Sequence, residues 1–265
     1  MAIVALHSAA TGLKATSQNI DIIANNIANT NTVGYKALHG NFEDLLYQEK
    51  QQPGVENAAG GQRPTGLFVG LGTRLSNTQI DLTQGSPVPD TAELSMLISG
   101  QGFFQVTNGD QISYTRAGNF FQNSEGDLVL GNADGLRIEP PINIPEEAVN
   151  VSISADGTVL ITVEDDPNQQ EVGQIELANF TNPTGLRPIG GNLYEETSAS
   201  GPPIIGNPND GSFGSIQQGF LEASNVNPVS ELVRLITTQR NFEFNSQSIQ
   251  AADEILQVIA NLRRF

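Results

Sequence analysis

The sequence predicts a mixed fold, mainly a β body, with N- and C-terminal α-helices packing as a coiled coil in a discontinuous multi-domain arrangement. Apolar residues recur at heptad spacing at both ends of the chain. Between them, short alternating runs are punctuated by Asn-Gly, Glu-Gly and Asp-Gly pairs. The charge is also divided: residues 1–39 and 221–265 together hold six basic and six acidic residues, so the middle carries the whole net charge of −17.

In the first thirty residues, Ile3, Ala10, Ser17 and Ala24 fall on one seam position and Leu6, Leu13, Ile20 and Ile27 on the other. Gly34 is the expected stop of this helix, since glycine accepts the left-handed conformation common just past a helix end. At the other end, Leu235, Phe242, Ile249 and Leu256 repeat the stripe, flanked by Ala252 and Ile259, with Thr238 and Asn245 as polar seam positions. These two either set the register between helices or face solvent. Asn227 suits an N-cap, Pro228 the first helical position and Glu231 the positive end of the helix dipole. Runs such as "FFQVTN" and "VSISADGTVLITVE" read as meander strands, because glycine supplies the positive φ of tight hairpin turns. The expected domains are a terminal helical part (1–34 and 226–265), an extended connector region (35–84 and 200–225) and a β-rich domain (85–199).

The acidic middle argues against nucleic acid, which requires clustered Lys and Arg. No apolar run reaches the length of a membrane span, and the start lacks the basic and continuous apolar regions of a secretory signal. The chain contains no cysteine, which excludes disulfides and thiolate chemistry.

The stretch "NIDIIANNIANTNTVGYKA" poses a question, because asparagine is a mediocre helix former. Asn19, Asn25, Asn26 and Asn29 fall away from the apolar seam, beside Gly12, Ala15 and Ile22, on a face without a charge. Amides can be buried when their hydrogen bonds are met, whereas burying an ion costs several kcal/mol. The expectation is therefore a helix covered on every side, with neighbouring copies supplying the cover that one chain lacks.

"AATGLKATSQNIDIIANNIANTNTVGYKA" and "QGFLEASNVNPVSELVRLITTQRNFEFNSQSIQAADEIL" resemble the N- and C-terminal signatures of the bacterial flagellar rod and hook proteins. "FEDLLYQ", "PTGLFVGLGT", "GFFQV", "YTRAGNF" and "LANFTNPTGLRPIGGNLYEETSASG" resemble the distal-rod branch of that family, so the likeness covers nearly the whole chain. It departs from the family at Thr91 and Ala92, and at Ser95 and Asn123, where aspartates are usual.

The resemblance implies a straight, rigid tubular homopolymer in the flagellar basal body, transmitting torque from motor to hook, with helical ends lining an export channel and the β domain outside. Its implied partners are further copies, proximal rod proteins, hook protein and the surrounding ring proteins, with no nucleic acid and no membrane insertion. It also implies export through the flagellar secretion channel without a cleaved signal, and no cofactor. Its implied packing residues are Leu6, Leu13, Asn19, Ile20, Asn25, Asn26, Ile27, Asn29, Leu235, Phe242, Ile249, Leu256 and Ile259. A stiffening role falls on the connector from Leu46 through Gln52, Pro53, Gly54, Gly60 and Gly61 to Arg63.

Chemistry is sparse. His7 and His39 have no nucleophile-elbow pattern beside them, and the Asp-Gly segments lack EF-hand ligand spacing. Glu164, Asp165, Asp166, Glu195 and Glu196 could in principle flank a glycosidic bond, but adjacent carboxylates at turns are more often solvated. No enzyme activity and no metal site are expected. The alternative from another class is a secreted β-rich glycan-binding or glycan-cleaving protein with dimerising ends.

Overall fold

A computed structural model describes residues 2–54, 64–107, 109, 111–163 and 166–262. A long helix stands at each end, α1 (Ala2–Ala28) and α2 (Pro228–Leu262), with β structure between. The strands are β1 (Leu38–Asp44), β2 (Tyr47–Gln51), β3 (Leu67–Gly70), β4 (Thr73–Ile80), β5 (Pro87–Pro89), β6 (Met96–Ser99), β7 (Phe103–Thr107), β8 (Ile112–Thr115), β9 (Phe120–Gln122) and β10 (Leu128–Leu130). They continue as β11 (Arg137–Ile138), β12 (Ala148–Ile153), β13 (Thr158–Val163), β14 (Asp166–Gln174), β15 (Leu177–Asn179), β16 (Arg187–Gly190), β17 (Leu193–Glu195), β18 (Ile204–Gly206), β19 (Ser215–Gln218) and β20 (Phe220–Glu222).

Two compact units result, one of Met1–Ile27, Leu38–Gln79 and Asn227–Phe265, the other of Ala28–Ala37 and Ile80–Val226. In the first, β1 pairs with β4 and β2 with β3, beside the two helices. Asn227 caps α2: its Oδ1 accepts from the Val229 and Ser230 amides at 3.1 and 3.2 Å, while Pro228 fills a position that needs no donor.

The second unit is built on a nine-stranded sheet with the path β16-β17-β8-β7-β11-β10-β9, to which β15 and β18 are added through β7. A three-stranded sheet β12-β13-β14 and the pairs β6-β19 and β5-β20 complete it. The β12–β13 hairpin shows how the alternating pattern works: Val151, Ile153, Val159 and Ile161 point inward. Its turn needs Gly157, which has φ +86° and would bring a Cβ to 2.6 Å from the Ile175 carbonyl oxygen. Met96, Phe104, Phe120, Leu128, Ile138, Ile175, Leu177 and Ile216 fill the core.

α1 ends at Ala28, six residues before the glycine expected to stop it. Gly34 serves packing instead. At φ +69° it lies so close to the backbone of Arg116 and Ala117 that a Cβ would come within 2.6 Å of the Ala117 nitrogen.

Just beyond it lies a buried charge cluster that no periodicity signals. Lys36 Nζ donates to Glu222 Oε1 at 2.5 Å and to the Thr83 carbonyl at 2.9 Å. The same carboxylate oxygen accepts from the Gly85 amide at 2.9 Å, and Oε2 lies 3.7 Å from the Arg116 guanidinium. Arg116 donates to the Gly100 carbonyl and stacks over Phe103 at 5.2 Å. Burial pushes the pKa values of both Lys36 and Arg116 down, and the Glu222 charge opposes this. Nearby, the Asn225 amide accepts from the Ala37 N–H and donates to the Asp81 carbonyl, so the segments after α1, after β4 and before α2 are joined within this unit.

Two of the departures from the family pattern, at Ser95 and Asn123, find local explanations. Ser95 is buried and its hydroxyl donates to Asp90, a bond that heads the causes lowering the Asp90 pKa. Asn123 Oδ1 accepts from the Glu125 and Asp127 amides at 2.9 and 2.8 Å, the acceptor role an aspartate would also fill.

Tyr114 and Tyr194 belong to an edge-to-face aromatic group with Phe103 and Phe180. Burial pushes both phenols up to about 12, with Glu196 adding to the effect at Tyr114 and Tyr35 at Tyr194. Because the unfolded chain releases these protons near pH ~10, their contribution is complete below that pH and is lost as pH rises toward about 12. Urea unfolding across this window should show stability falling steadily, with the tyrosinate absorbance of the native protein lagging behind that of the unfolded chain.

Candidate assembly surface

The expected packing residues lie mainly in the first unit. On α1, Leu6, Leu13, Ile20 and Ile27 are all half-buried rather than covered. The row that the chain itself covers is offset from this stripe and runs Ala9, Gly12, Ala15, Ile23, Asn26. These small residues let other groups come close. Thr11 Oγ1 accepts from the Thr73 amide at 3.4 Å, and Ser8 donates to the Gly70 carbonyl at 3.4 Å.

Asn26 shows why an amide is used. Its Nδ2 donates to the Leu38 carbonyl at 2.8 Å and its Oδ1 accepts from the Leu38 N–H at 3.0 Å, so the side chain pairs with the start of β1 as a neighbouring strand would. A third contact reaches Glu231 Oε2 at 3.5 Å. Asn26, expected among the residues that neighbouring copies cover, is thus already buried in its own chain. Asn19 is half-buried and donates to Thr238 Oγ1 at 3.2 Å. Asn25 is exposed, while Asn29, in the second unit, is half-buried and accepts from the Thr32 hydroxyl at 3.1 Å.

On α2, Leu235, Ile249 and Leu256 are half-buried, and Phe242 and Ile259 are exposed. Glu231, read from sequence as a partner for the helix dipole, is buried and receives the Arg234 guanidinium at 2.9 Å. Arg234 also donates to His39 Nδ1 at 3.1 Å, and His7 Nδ1 lies 3.0 Å from the Leu71 carbonyl oxygen. Both imidazoles therefore contact structural groups. Glu195 accepts from Arg187 and Gln111, while Glu164 and Asp165 lie outside the described residues. Among the described residues no group of three His, Asp or Glu is placed to hold a metal.

Sequence reasoning missed the second face of α2. Val229, Val233, Ile236, Phe244, Ile255 and Val258 are all more than half exposed. A spacing of three, four and seven residues marks this face in the sequence, beside the heptad stripe. The connector adds to the open apolar area. Leu46 is 83% exposed, Tyr47, Leu67 and Phe68 are exposed, and every residue of β2 faces solvent. Gln52, Pro53 and Gly54 are exposed as well, whereas Gly60, Gly61 and Arg63 lie outside the described residues.

Three family models match the chain: the flagella basal body rod protein model over residues 6–36, the D1 domain of flagellar hook protein FlgE/F/G over 97–161, and the C-terminal model of the flagellar basal body rod FlgEFG proteins over 217–262. The flagellar basal-body rod protein FlgG of Agrobacterium fabrum is 42% identical, with 97% of this chain and 98% of that protein covered. FlgG of Caulobacter vibrioides is 42% identical over 98% of this chain and 99% of its own length. FlgG of Borreliella burgdorferi is 39% identical over 98% of each. Similarity of this extent runs through α1, the β sheets and α2 alike, and the chain belongs to the FlgG family of flagellar basal-body rod proteins.

Proposed function

We propose that the chain is a self-assembling structural subunit of the distal flagellar rod, forming a straight, rigid tube that transmits torque to the hook. The observation that carries this reading is the large apolar area left open on α2 and on the β2–β3 connector. Contiguous exposed apolar surface of this kind marks an interaction site. An isolated two-stranded hairpin is also marginal in water, so β2 and β3 need a surface to lie against. Neighbouring copies supply it. In the assembly, α1 and α2 pack as a coiled coil, the half-covered stripe of Leu6, Leu13, Ile20 and Ile27 meets adjacent helices, and the connector from Leu46 to Arg63 wedges between subunits to stiffen the tube. Proximal rod proteins, hook protein and ring proteins are the further partners, reached by export through the flagellar channel.

Electron microscopy of the concentrated chain tests this. The full chain should form straight rods, removal of residues 1–30 or 230–265 should abolish them while the β sheets stay folded, and removal of residues 46–63 should give curved polymers. Straight rods from the connector deletion would remove the stiffening role. Rods from either helix deletion would overturn the reading.

A further inference from the structure

The contacts between α1 and α2 follow a count. Asn26 meets Glu231, Asn19 meets Thr238, and Asn245 lies over Gly12, where a Cβ would sit 3.0 Å from its Nδ2. Each rung steps seven residues back along α1 and seven forward along α2, so the helices run antiparallel in one register. We propose that this polar ladder is a register lock, selecting one alignment of α1 on the α2 of its own chain. The inference concerns the single chain and does not rest on the rod reading.

The reason is the cost of a slip. Moving α2 by one heptad in one direction would place Glu231 beyond the end of α1, leaving a buried carboxylate without its amide. Moving it the other way would put Thr238 against Gly12 and Asn245 against Ala5, and neither offers a side-chain partner. Either slip breaks both the Asn26–Glu231 and the Asn19–Thr238 contacts, a loss that an all-apolar seam would not impose. A polar residue at a seam position commonly fixes register in this way, at some cost in stability. Gly12 belongs to the same device, because a Cβ there would press on the Asn245 amide and push it back by a few tenths of an ångström.

The absence of native cysteine makes the register measurable. The next rung by count pairs Ala5 with Ala252, which is buried, and the same position one heptad further on is Ile259, which is exposed. The full chain carrying Ala5→Cys with Ala252→Cys, and separately Ala5→Cys with Ile259→Cys, is oxidised under conditions where circular dichroism shows the helices formed. Intrachain and interchain products are then separated by mass. The lock requires the first pair to close within one chain at least about tenfold faster than the second, the ratio that ~1.4 kcal/mol supplies. In an Asn19→Leu, Thr238→Leu, Asn245→Leu background that ratio should fall by at least about fivefold while helix content is kept. Exchanging the partners, Asn19→Thr with Thr238→Asn, should restore most of it even where either change alone lowers it. Equal rates in the unaltered ladder, a preference for interchain products, or an undiminished ratio in the leucine variant would overturn the proposal.

Discussion

Glu222→Ala should destabilise the second unit by about 3–5 kcal/mol, the range seen when one partner is removed from a buried ion pair. Lys36 and Arg116 would then remain buried as two cations without a counter-charge, and the Gly85 amide would lose its acceptor. A native domain has only about 5–15 kcal/mol to lose, so this single change should bring it near the edge of folding. The expectation has an internal control. Replacing the whole cluster by Lys36→Met, Arg116→Met and Glu222→Leu should cost much less than Glu222→Ala, because the penalty comes from the unmatched charge rather than from the loss of attraction. Urea unfolding followed by tyrosine fluorescence in a Tyr47→Phe background reports on this unit, which holds the other three tyrosines, and the chain has no tryptophan to mask it.

The second large effect concerns assembly. Val233→Glu combined with Phe244→Glu should raise the concentration needed for polymerisation by more than about a hundredfold, while the unfolding transition of the second unit stays unchanged. Each of these side chains is more than half exposed in the single chain, and covering it would contribute about 1.5–3 kcal/mol. A carboxylate in its place adds a desolvation cost of several kcal/mol. Sedimentation of wild-type and variant chains across a concentration series measures the shift.

The helical ends and the β character of the middle were legible because each rests on a local period. Heptads mark α1 and α2, alternation marks β12 and β13, and Asp156-Gly157 marks the turn between them. The sheet order was not legible, because β11 joins β7 and β15 adds to β7 through pairings that no local pattern encodes. The Lys36–Glu222 pair joins residues 186 positions apart, and neither residue carries a sign in sequence that it will be buried.

Of the four asparagines expected on a covered face, Asn26 is buried in the single chain, Asn19 and Asn29 are half-buried and Asn25 is exposed. For Asn26 and Asn19, however, the cover comes from Leu38, Glu231 and Thr238 of the same chain, because an amide can satisfy a strand edge and a helix side chain together. The surface that the single chain leaves open is more apolar than the one the asparagines suggested, and much of it lies on α2 and the connector.

Amide hydrogen exchange of α2, compared between dilute chain and sedimented polymer, tests the central claim most directly. If other copies cover the Val229–Phe244 face, exchange there should slow by at least about a hundredfold on assembly, equivalent to ~2.8 kcal/mol of added protection. Peptides of the β12–β13 hairpin should change little. Polymer whose α2 exchanges as fast as it does in the dilute chain would contradict the account.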